Sequence, residues 1–268
     1  MSAPSTSAQP RLSATILLLR DNTELEVLMV ARHYQIDFAS GALVFPGGKA
    51  NPEDADPNWD GFIDGSASGE QRTAQIAAIR EAFEESGLLM ARPRSARGVR
   101  NALVGAETAQ AMAPMRAQVD RREVNFLDLI KAHDLVLALD VLIHFGHWIT
   151  PEIMPKRFDT HFYLAPAPAN QIASHDGRET TDAVWLNPQK ALEMEASGQA
   201  TIIFPTRMNL KKLMPAKTLE TARARFEGMP VVTVLPMAGK AEDGTPCLHI
   251  PEEAGYGQTV EPLDRIRA

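Results

Sequence analysis

The stretch that decides the fold is Arg80-Glu81-Ala82-Phe83-Glu84-Glu85-Ser86-Gly87-Leu88. It closes the clearest helical pattern of the chain, predicted over residues 73–86, and Gly87 stands where a left-handed residue commonly ends a helix. At about 100° per residue, the three glutamates share one face while the apolar residues of the helix occupy the other. The helix can therefore bury one side and present three carboxylates on the opposite side.

Like charges spaced i, i+3 and i+4 repel one another, and each such pair destabilises an isolated helix by about 0.2–0.5 kcal/mol. A divalent cation would remove this repulsion. Mg²⁺ and Mn²⁺ prefer carboxylate oxygens and bridge to the phosphates of a substrate. The alternative is a solvated acidic face, which is the usual explanation of a glutamate cluster. The residues that flank the helix favour the metal.

The end of this helix, taken together with the glycines upstream of it, resembles the Nudix box, G-x5-E-x7-R-E-U-x-E-E-x-G-U, where U is bulky and apolar. Gly48 matches the first position, and the second half is matched by Arg80, Glu81, Glu84, Glu85, Gly87 and Leu88, with the small Ala82 at the first U. Gly48 and Arg80 are 32 positions apart where the box allows 14, so that 18 residues are inserted. The insertion leaves the first glutamate of the box open between Glu53 and Glu70.

An interrupted box of this kind resembles the branch of Nudix hydrolases that includes the mammalian peroxisomal coenzyme A diphosphatase. Two other features are similar to that branch: Arg157-Phe158-Asp159-Thr160 before a predicted strand, and Glu179 six positions before Trp185. The resemblance extends in scattered blocks from Leu12 to about Leu213. It implies an α/β (α+β) Nudix fold, a mixed β-sheet sandwiched between helices, with helical insertions and a C-terminal helical extension.

The resemblance also implies roles for the residues that match the box. Glu81 and Glu85 would be the principal ligands of Mg²⁺ or Mn²⁺, and the Gly47 carbonyl would complete the ligand set. Glu84 would be a further ligand, or would orient or deprotonate the attacking water. Arg80 would hold the carboxylates by charge-assisted hydrogen bonds.

Other candidate site residues lie outside the box. Glu179, in a loop before the last predicted core strand, is a candidate base or metal ligand; Asp182 competes for that role, and a solvated loop glutamate is the alternative. Arg32 follows the second predicted strand and Arg157 precedes a later one, which makes both candidate substrate contacts. The alternatives are surface placement for Arg32 and a structural ion pair for Arg157.

Apolar and alternating runs predict strands at residues 11–19, 25–31, 41–45, 140–149, 158–165, 183–186 and 231–235, with Pro46-Gly47-Gly48 as a breaker. Helical spacing predicts helices at residues 188–196, 206–214 and 218–226. We therefore predict a disordered N-terminus (1–10), a Nudix domain (11–238) and an irregular tail (239–268). The domain would contain an acidic insert at 50–69, a helical insert at about 99–139 and a helical lobe at about 188–238.

The composition limits the class of partner. The chain has 268 residues and a net charge of −7, which disfavours a nucleic-acid scaffold. Cys247 is the single cysteine, which excludes an intramolecular disulfide and fits a reducing compartment. No early apolar run approaches the roughly 20 residues that cross a bilayer, and the last four residues are not a Ser-Lys-Leu peroxisomal signal. We expect a cytoplasmic protein with a small-molecule partner, no nucleic acid, no membrane, and a homodimer by default.

The sequence thus predicts a metal-dependent pyrophosphohydrolase that cleaves the diphosphate linkage of a nucleoside diphosphate derivative. Coenzyme A or an acyl-CoA is the substrate class that the resemblance suggests. Within the enzyme class, the alternative is an ADP-ribose or nucleotide-sugar diphosphatase. Outside it, the alternative is a non-catalytic nucleotide-binding regulator, which the intact set of three glutamates disfavours because a binder has no need of a metal-dependent carboxylate cluster.

Overall fold

A computed structural model of the protein describes residues 8–32, 41–178 and 180–266. The predicted disordered N-terminus falls largely outside the described residues, as do Glu179 and the side chain of Arg32. Among the helices of the described ranges, none is long and apolar enough to cross a membrane.

The strands are β1 Arg11–Asp21, β2 Leu25–Arg32, β3 Leu43–Val44, β4 Gly47–Lys49, β5 Ile63–Asp64, β6 Ala91–Pro93, β7 Leu135–Ala138, β8 Ile143–Ile149, β9 Phe158–Pro166, β10 Thr180–Leu186, β11 Thr233–Val234, β12 Met237–Lys240, β13 Pro246–His249 and β14 Val260–Pro262. The α-helices are α1 Gly69–Ser86, α2 Ala106–Met112, α3 Arg116–Asp120, α4 Phe126–Ala132, α5 Pro188–Ala196, α6 Phe204–Leu213 and α7 Leu219–Phe226.

The central sheet has the strand order β10–β2–β1–β9–β8–β11, with β3 added to β2 and β4 added to β1. The predicted hairpin is present, since β1 and β2 pair antiparallel with Leu19 opposite Val27. β1 runs parallel to β9, and β8 runs parallel to β11, whereas the other pairs along this order are antiparallel. The sheet is therefore mixed, as the fold class predicted.

Helices cover both faces of this sheet. Side chains alternate between the faces of a strand, and β1 places Ile16 and Leu18 in one hydrophobic cluster and Leu17 and Leu19 in the other. The first cluster includes the apolar side of α1 and residues of α2 to α4, and the second includes residues of α5, α6 and α7. The prediction of a mixed sheet between helical layers is confirmed.

The strand predicted before Pro46-Gly47-Gly48 ends there, since β3 stops at Val44, but the chain pairs again at once as β4, antiparallel to β1 with Gly48 opposite Ala14. A Cβ on Gly47 would lie 2.5 Å from the Ala14 carbonyl oxygen and 2.7 Å from Thr15 Cα. Only glycine permits this close approach, which is one of the reasons for glycine inside a strand. The new strand was not predicted because a glycine pair weakens strand propensity without preventing pairing.

The insert within the box packs into the core. The Trp59 ring lies 5.9 Å from that of Phe126 in α4, and Phe126 stacks on Phe83 of α1 at 5.7 Å. β5, which ends this insert, pairs with β7, and β7 pairs with β6 in a small second sheet. The predicted helical insert (about 99–139) therefore ends in a strand. This strand was not predicted because the apolar run Leu135–Ala138 is too short to distinguish the period of a helix from that of a strand.

The tail was predicted to be irregular over residues 239–268, and for the described residues 239–266 this prediction was wrong. β12, β13 and β14 form an antiparallel three-stranded sheet, in which Cys247 and Leu248 of β13 are buried. Its strands are three or four residues long, β12 is exposed throughout, and Pro246 and Pro262 stand at strand ends. Strands this short and proline-flanked carry almost no alternation signal.

Candidate functional site

Helix α1 ends as the sequence predicts, and its carboxylates are buried. Gly87 has φ 74°, and its N–H donates to the Phe83 carbonyl over 2.9 Å. Glu81, Glu84 and Glu85 are only 9%, 6% and 4% exposed. A solvated acidic face would leave these side chains in water, so their burial excludes the ordinary explanation of the cluster and requires compensating positive charge.

Arg80 supplies part of that compensation. Its Nη1 donates to Glu81 Oε1 and to Glu84 Oε2, each over 2.8 Å. Its Nη2 donates to Asp54 Oδ2 over 2.9 Å and to the Lys49 carbonyl over 2.8 Å, while Nε donates to Asp54 Oδ1 over 3.0 Å. One buried guanidinium thus holds three carboxylates in fixed positions, which is the arrangement that the resemblance implied for Arg80.

Asp54 is a site residue that the sequence analysis missed. It is 1% exposed, and Oδ2 also accepts a hydrogen bond from the Asn51 N–H over 2.8 Å. Asp54 follows Gly48 by six positions, which is the spacing of the first glutamate of the box. Neither earlier candidate occupies that place, since Glu53 is exposed and the Glu70 side chain is 65% exposed. The spacing of six positions after Gly48 is therefore kept, and Asp54 stands where the box has a glutamate.

We expect Asp54→Asn to lower metal-dependent activity by about 10–100-fold, the range typical of residues that orient metal ligands. The asparagine amide cannot neutralise Arg80, so the guanidinium would draw more strongly on Glu81 and Glu84. The matched control is Glu53→Gln, one position away and exposed, which should leave activity unchanged. Steady-state hydrolysis rates of the two variants would be compared. Equal activity would contradict the assignment of Asp54 to the site.

Strand β4 forms the second wall of the carboxylate site. The Gly47 N–H donates to Glu85 Oε2 over 3.0 Å, and Ser13 of β1 donates to the Gly48 carbonyl over 2.5 Å. A Cβ on Gly48 would lie 2.6 Å from the Glu81 carboxylate. Gly48 therefore lets the strand backbone approach the Glu81 carboxylate more closely than a residue with a side chain could, while Gly47 permits the approach to β1.

Substitution of Gly48 is expected to affect mainly activity, whereas substitution of Gly47 is expected to affect mainly stability. Gly48→Ala displaces the end of a flexible side chain, so activity should fall by at least about tenfold with little change in melting temperature. Gly47→Ala meets backbone atoms of β1 and should lower the melting temperature clearly. Activity and thermal unfolding of both variants would be measured together. A Gly48→Ala protein with full activity would show that the Glu81 carboxylate position is unimportant.

The electrostatics of the cluster favour a further cation. Among the described residues, Glu84 Oε1 is buried without a hydrogen-bond partner. Burial, together with the nearby Glu81 charge, raises the pKa of Glu84 to about 8 despite the opposing effect of Arg80. A buried carboxylate oxygen that lacks a donor is suited to binding a cation. The donor set of carboxylates and a backbone carbonyl fits a hard divalent ion such as Mg²⁺ or Mn²⁺.

A cavity of about 770 Å³ opens from this cluster. Gly48, Glu81 and Glu84 line one part of it. An apolar part is lined by Trp148, Ile149, Ile153, Met154, Phe204 and Leu248. Basic side chains that face the cavity come from Lys49, Arg122 and Lys156. The cleft therefore combines an acidic site, nearby cationic groups and an apolar wall, to which the C-terminal sheet contributes Leu248.

Of the remaining predicted residues, the described Arg157 and Asp182 are not among those that line the cleft. The Arg157 side chain is buried and donates to the backbone carbonyls of Thr150 and Ala8 over 3.0 and 3.1 Å. The described residues that line the cavity include its neighbours Lys156 and Phe158. Asp182 is exposed in β10. The side chain of Arg32 and the whole of Glu179 lie outside the described residues.

Comparison with known proteins identifies relatives of this chain. The family model of the NUDT19 Nudix domain matches residues 63–213, more than half of the chain. The acyl-coenzyme A diphosphatase NUDT19 of Xenopus laevis is 26% identical over 230 residues, covering 72% of this chain and 60% of that protein. The human protein of the same name is 30% identical over 146 residues, covering 52% of this chain and 38% of that protein. The chain thus spans less than two thirds of the length of these relatives.

A solved structure shares the architecture. The crystal structure of a Nudix hydrolase from Alicyclobacillus acidocaldarius superposes with a TM-score of 0.69 at 26% sequence identity. The alignment covers 83% of this chain and 99% of that one. The sheet and the helices on its two faces therefore follow a known arrangement.

Proposed function

This chain belongs to the Nudix family described by the NUDT19 Nudix domain, and we propose that it is a metal-dependent pyrophosphohydrolase that cleaves the diphosphate linkage of coenzyme A or an acyl-CoA. The observation that carries the proposal is the buried set of Glu81, Glu84 and Glu85, held by Arg80 at the end of a large cleft. Solvated or purely structural glutamates have no reason to be concentrated at such a place.

Mg²⁺ or Mn²⁺ would be held by Glu81, Glu84, Glu85 and the Gly47 carbonyl. When bound, the ion supplies Lewis-acid polarisation of a phosphoryl oxygen and charge neutralisation in the transition state. The protein contributes fixed geometry, because Arg80 and the Gly47 N–H hold the carboxylates before substrate arrives. Glu84 Oε1 is the atom best placed to orient an attacking water or accept its proton, since it is without a donor among the described residues.

The rest of the cleft supports the substrate class. Lys49, Arg122 and Lys156 offer positive charge to the phosphates of an anionic substrate. The apolar wall around Trp148 and Phe204 suits a pantetheine or acyl portion, which an ADP-ribose or a nucleotide sugar lacks. The names of the vertebrate relatives support the same choice.

The proposal is tested by a substrate panel. Purified protein would be incubated with Mg²⁺ or Mn²⁺ and coenzyme A, an acyl-CoA, ADP-ribose, NADH or a sugar nucleotide, and the products identified by mass spectrometry. We expect coenzyme A or the acyl-CoA to be split between its two phosphorus atoms with the highest kcat/KM. Preferred cleavage of ADP-ribose or a sugar nucleotide would overturn the substrate assignment. Binding of panel members without any hydrolysis would overturn the enzyme assignment and favour a nucleotide-binding regulator.

A further inference from the structure

Strands β8 and β9 bring a second cluster of metal-ligating side chains together. His147 and His161 are directly opposite one another in the antiparallel pair, and their rings stack at 4.1 Å between centroids. His147 Nε2 also forms a hydrogen bond with Asp159 Oδ1. One ligand atom from each of these three residues lies within 4.8 Å of the other two.

This cluster is separate from the carboxylate site. The cleft is lined by Phe158, Thr160 and Phe162 of β9, so the intervening residues Asp159 and His161 point to the opposite face of the sheet. His161 lies beside the first turn of α1, where Glu70 Oε1 is 3.7 Å from His161 Nε2. Glu70 and Glu81 are separated by about 16 Å along the helix at 1.5 Å per residue.

His161 carries the observation that points to a ligand. It is 3% exposed, and among the described residues its Nε2 is buried without a hydrogen-bond partner. Its Nδ1 lies 3.1 Å from His144 Nε2 and 3.3 Å from Gln71 Nε2. Metal binding through Nε2 would select the tautomer in which the Nδ1–H donates to His144 Nε2. Burial lowers the pKa of His161 to about 4, so the ring is neutral at pH 7.

His147 is held in an orientation suited to binding. Its Nδ1 lies 2.8 Å from the Thr233 hydroxyl oxygen in β11, the strand that pairs alongside β8. Metal-binding imidazoles typically have their second nitrogen fixed by such a partner. The side chains of His147 and Asp159 are partly exposed, so an ion can enter from solvent while His161 forms the buried side of the site.

We propose that His147, Asp159 and His161 form a second metal site, for a transition-metal ion of the Zn²⁺ class, separate from the carboxylate cluster. Two imidazole nitrogens and one carboxylate oxygen are a common ligand set for Zn²⁺, and neutral imidazoles disfavour Mg²⁺. Glu70 or a water molecule would occupy the fourth position. Binding through Nε2 would replace the hydrogen bond between His147 and Asp159, with the His147 proton moved to Nδ1, where the Thr233 hydroxyl oxygen can accept it. The ion would then connect β8 to β9.

The test uses the full chain stripped of metal with a chelator and then titrated with Zn²⁺ against a chromogenic competitor. The stoichiometry should fall by one ion in His161→Gln and in the milder Asp159→Asn, with folding checked by circular dichroism. The exposed His133 provides the matched control His133→Gln, which should bind as the wild type does. The ligand-field absorption of bound Co²⁺ should decrease in the same two variants.

A variant of the carboxylate site separates the two sites. Glu84→Gln should retain the Zn²⁺ ion bound by the histidines, and Mg²⁺ in large excess should not displace it. The proposal would be overturned if His161→Gln and Asp159→Asn bound as much Zn²⁺ as the wild type with unchanged affinity. It would also be overturned if Glu84→Gln abolished all Zn²⁺ binding, because the carboxylate cluster would then be the sole site.

Discussion

Glu84→Gln is expected to lower kcat by about 10³-fold, the effect of removing one preorganised group that acts on the transition state. Glutamine keeps the shape of the side chain and can still contact Arg80. It cannot supply negative charge to a metal or accept a proton from water at the unsatisfied Oε1. The control is again Glu53→Gln, which should keep full activity. A Glu84→Gln enzyme within tenfold of the wild type would remove Glu84 from the mechanism.

The same substitution is expected to stabilise the metal-free protein at neutral and higher pH. The pKa of Glu84 is raised from its ordinary 4.5 to about 8 by burial and by the Glu81 charge. Between these values the folded chain binds more protons than the unfolded chain, so this contribution to stability is lost as pH rises through that window. Glutamine does not titrate. Urea unfolding in EDTA at pH 5 and pH 8 should show a smaller loss of unfolding free energy for the variant, and an equal loss would contradict the pKa shift.

Arg80→Ala is expected to lower the free energy of unfolding of the metal-free protein by about 3–5 kcal/mol, as when one partner of a buried ion pair is removed. The loss would leave Asp54, Glu81 and Glu84 buried without their shared cation. Saturating Mg²⁺ should restore part of the stability, since an ion bound by the carboxylates replaces some of the missing charge.

The control for this experiment is Arg121→Ala, which breaks an exposed pair with Glu123. Pairs of that kind contribute little, so its unfolding curve should overlay that of the wild type. If Arg80→Ala unfolded like Arg121→Ala, the guanidinium would not be holding the carboxylates. A large loss that Mg²⁺ did not reduce would instead mean that the carboxylates do not bind the ion.

Elements with strong local signals could be predicted from the sequence. The helix predicted at residues 188–196 coincides with α5, where Pro188 occupies the first turn and Asn187 caps it through the Gln189 N–H. The hairpin of β1 and β2 and the end of α1 at Gly87 could be predicted from the sequence in the same way. In each case the deciding information lies within a few residues of the chain, so no knowledge of tertiary contacts is needed.

The missed elements depend on contacts between distant parts of the chain. β4 exists because two glycines fit against β1, and β7 exists because β5 and β6 flank it. The tail sheet joins three segments that are too short to show a period. Asp54 was not predicted for another reason, because the Nudix box has a glutamate at this position. A count of six positions from Gly48 would have located it.

The carboxylate cluster of α1 and the histidine cluster of β8 and β9 differ in how far the sequence alone predicts them. The three glutamates of α1 could be placed on one face from their spacing alone, because a helix fixes the geometry of i, i+3 and i+4. His147, Asp159 and His161 come together only through the register of β8 and β9. The alternation of Asp159 and His161 within β9 was visible in the sequence, but the partner strand that carries His147 and its register were not.

We propose that the buried carboxylates of α1 hold a metal ion with which this chain hydrolyses a diphosphate bond. The proposal is tested by the rate of coenzyme A or acyl-CoA hydrolysis by the wild type and by Glu85→Gln, each with saturating Mg²⁺ and with EDTA. We predict hydrolysis only by the wild type with Mg²⁺ and a loss of about 10³-fold in the variant. Equal rates in Glu85→Gln and the wild type, or undiminished hydrolysis in EDTA, would show that these carboxylates do not hold a catalytic metal ion.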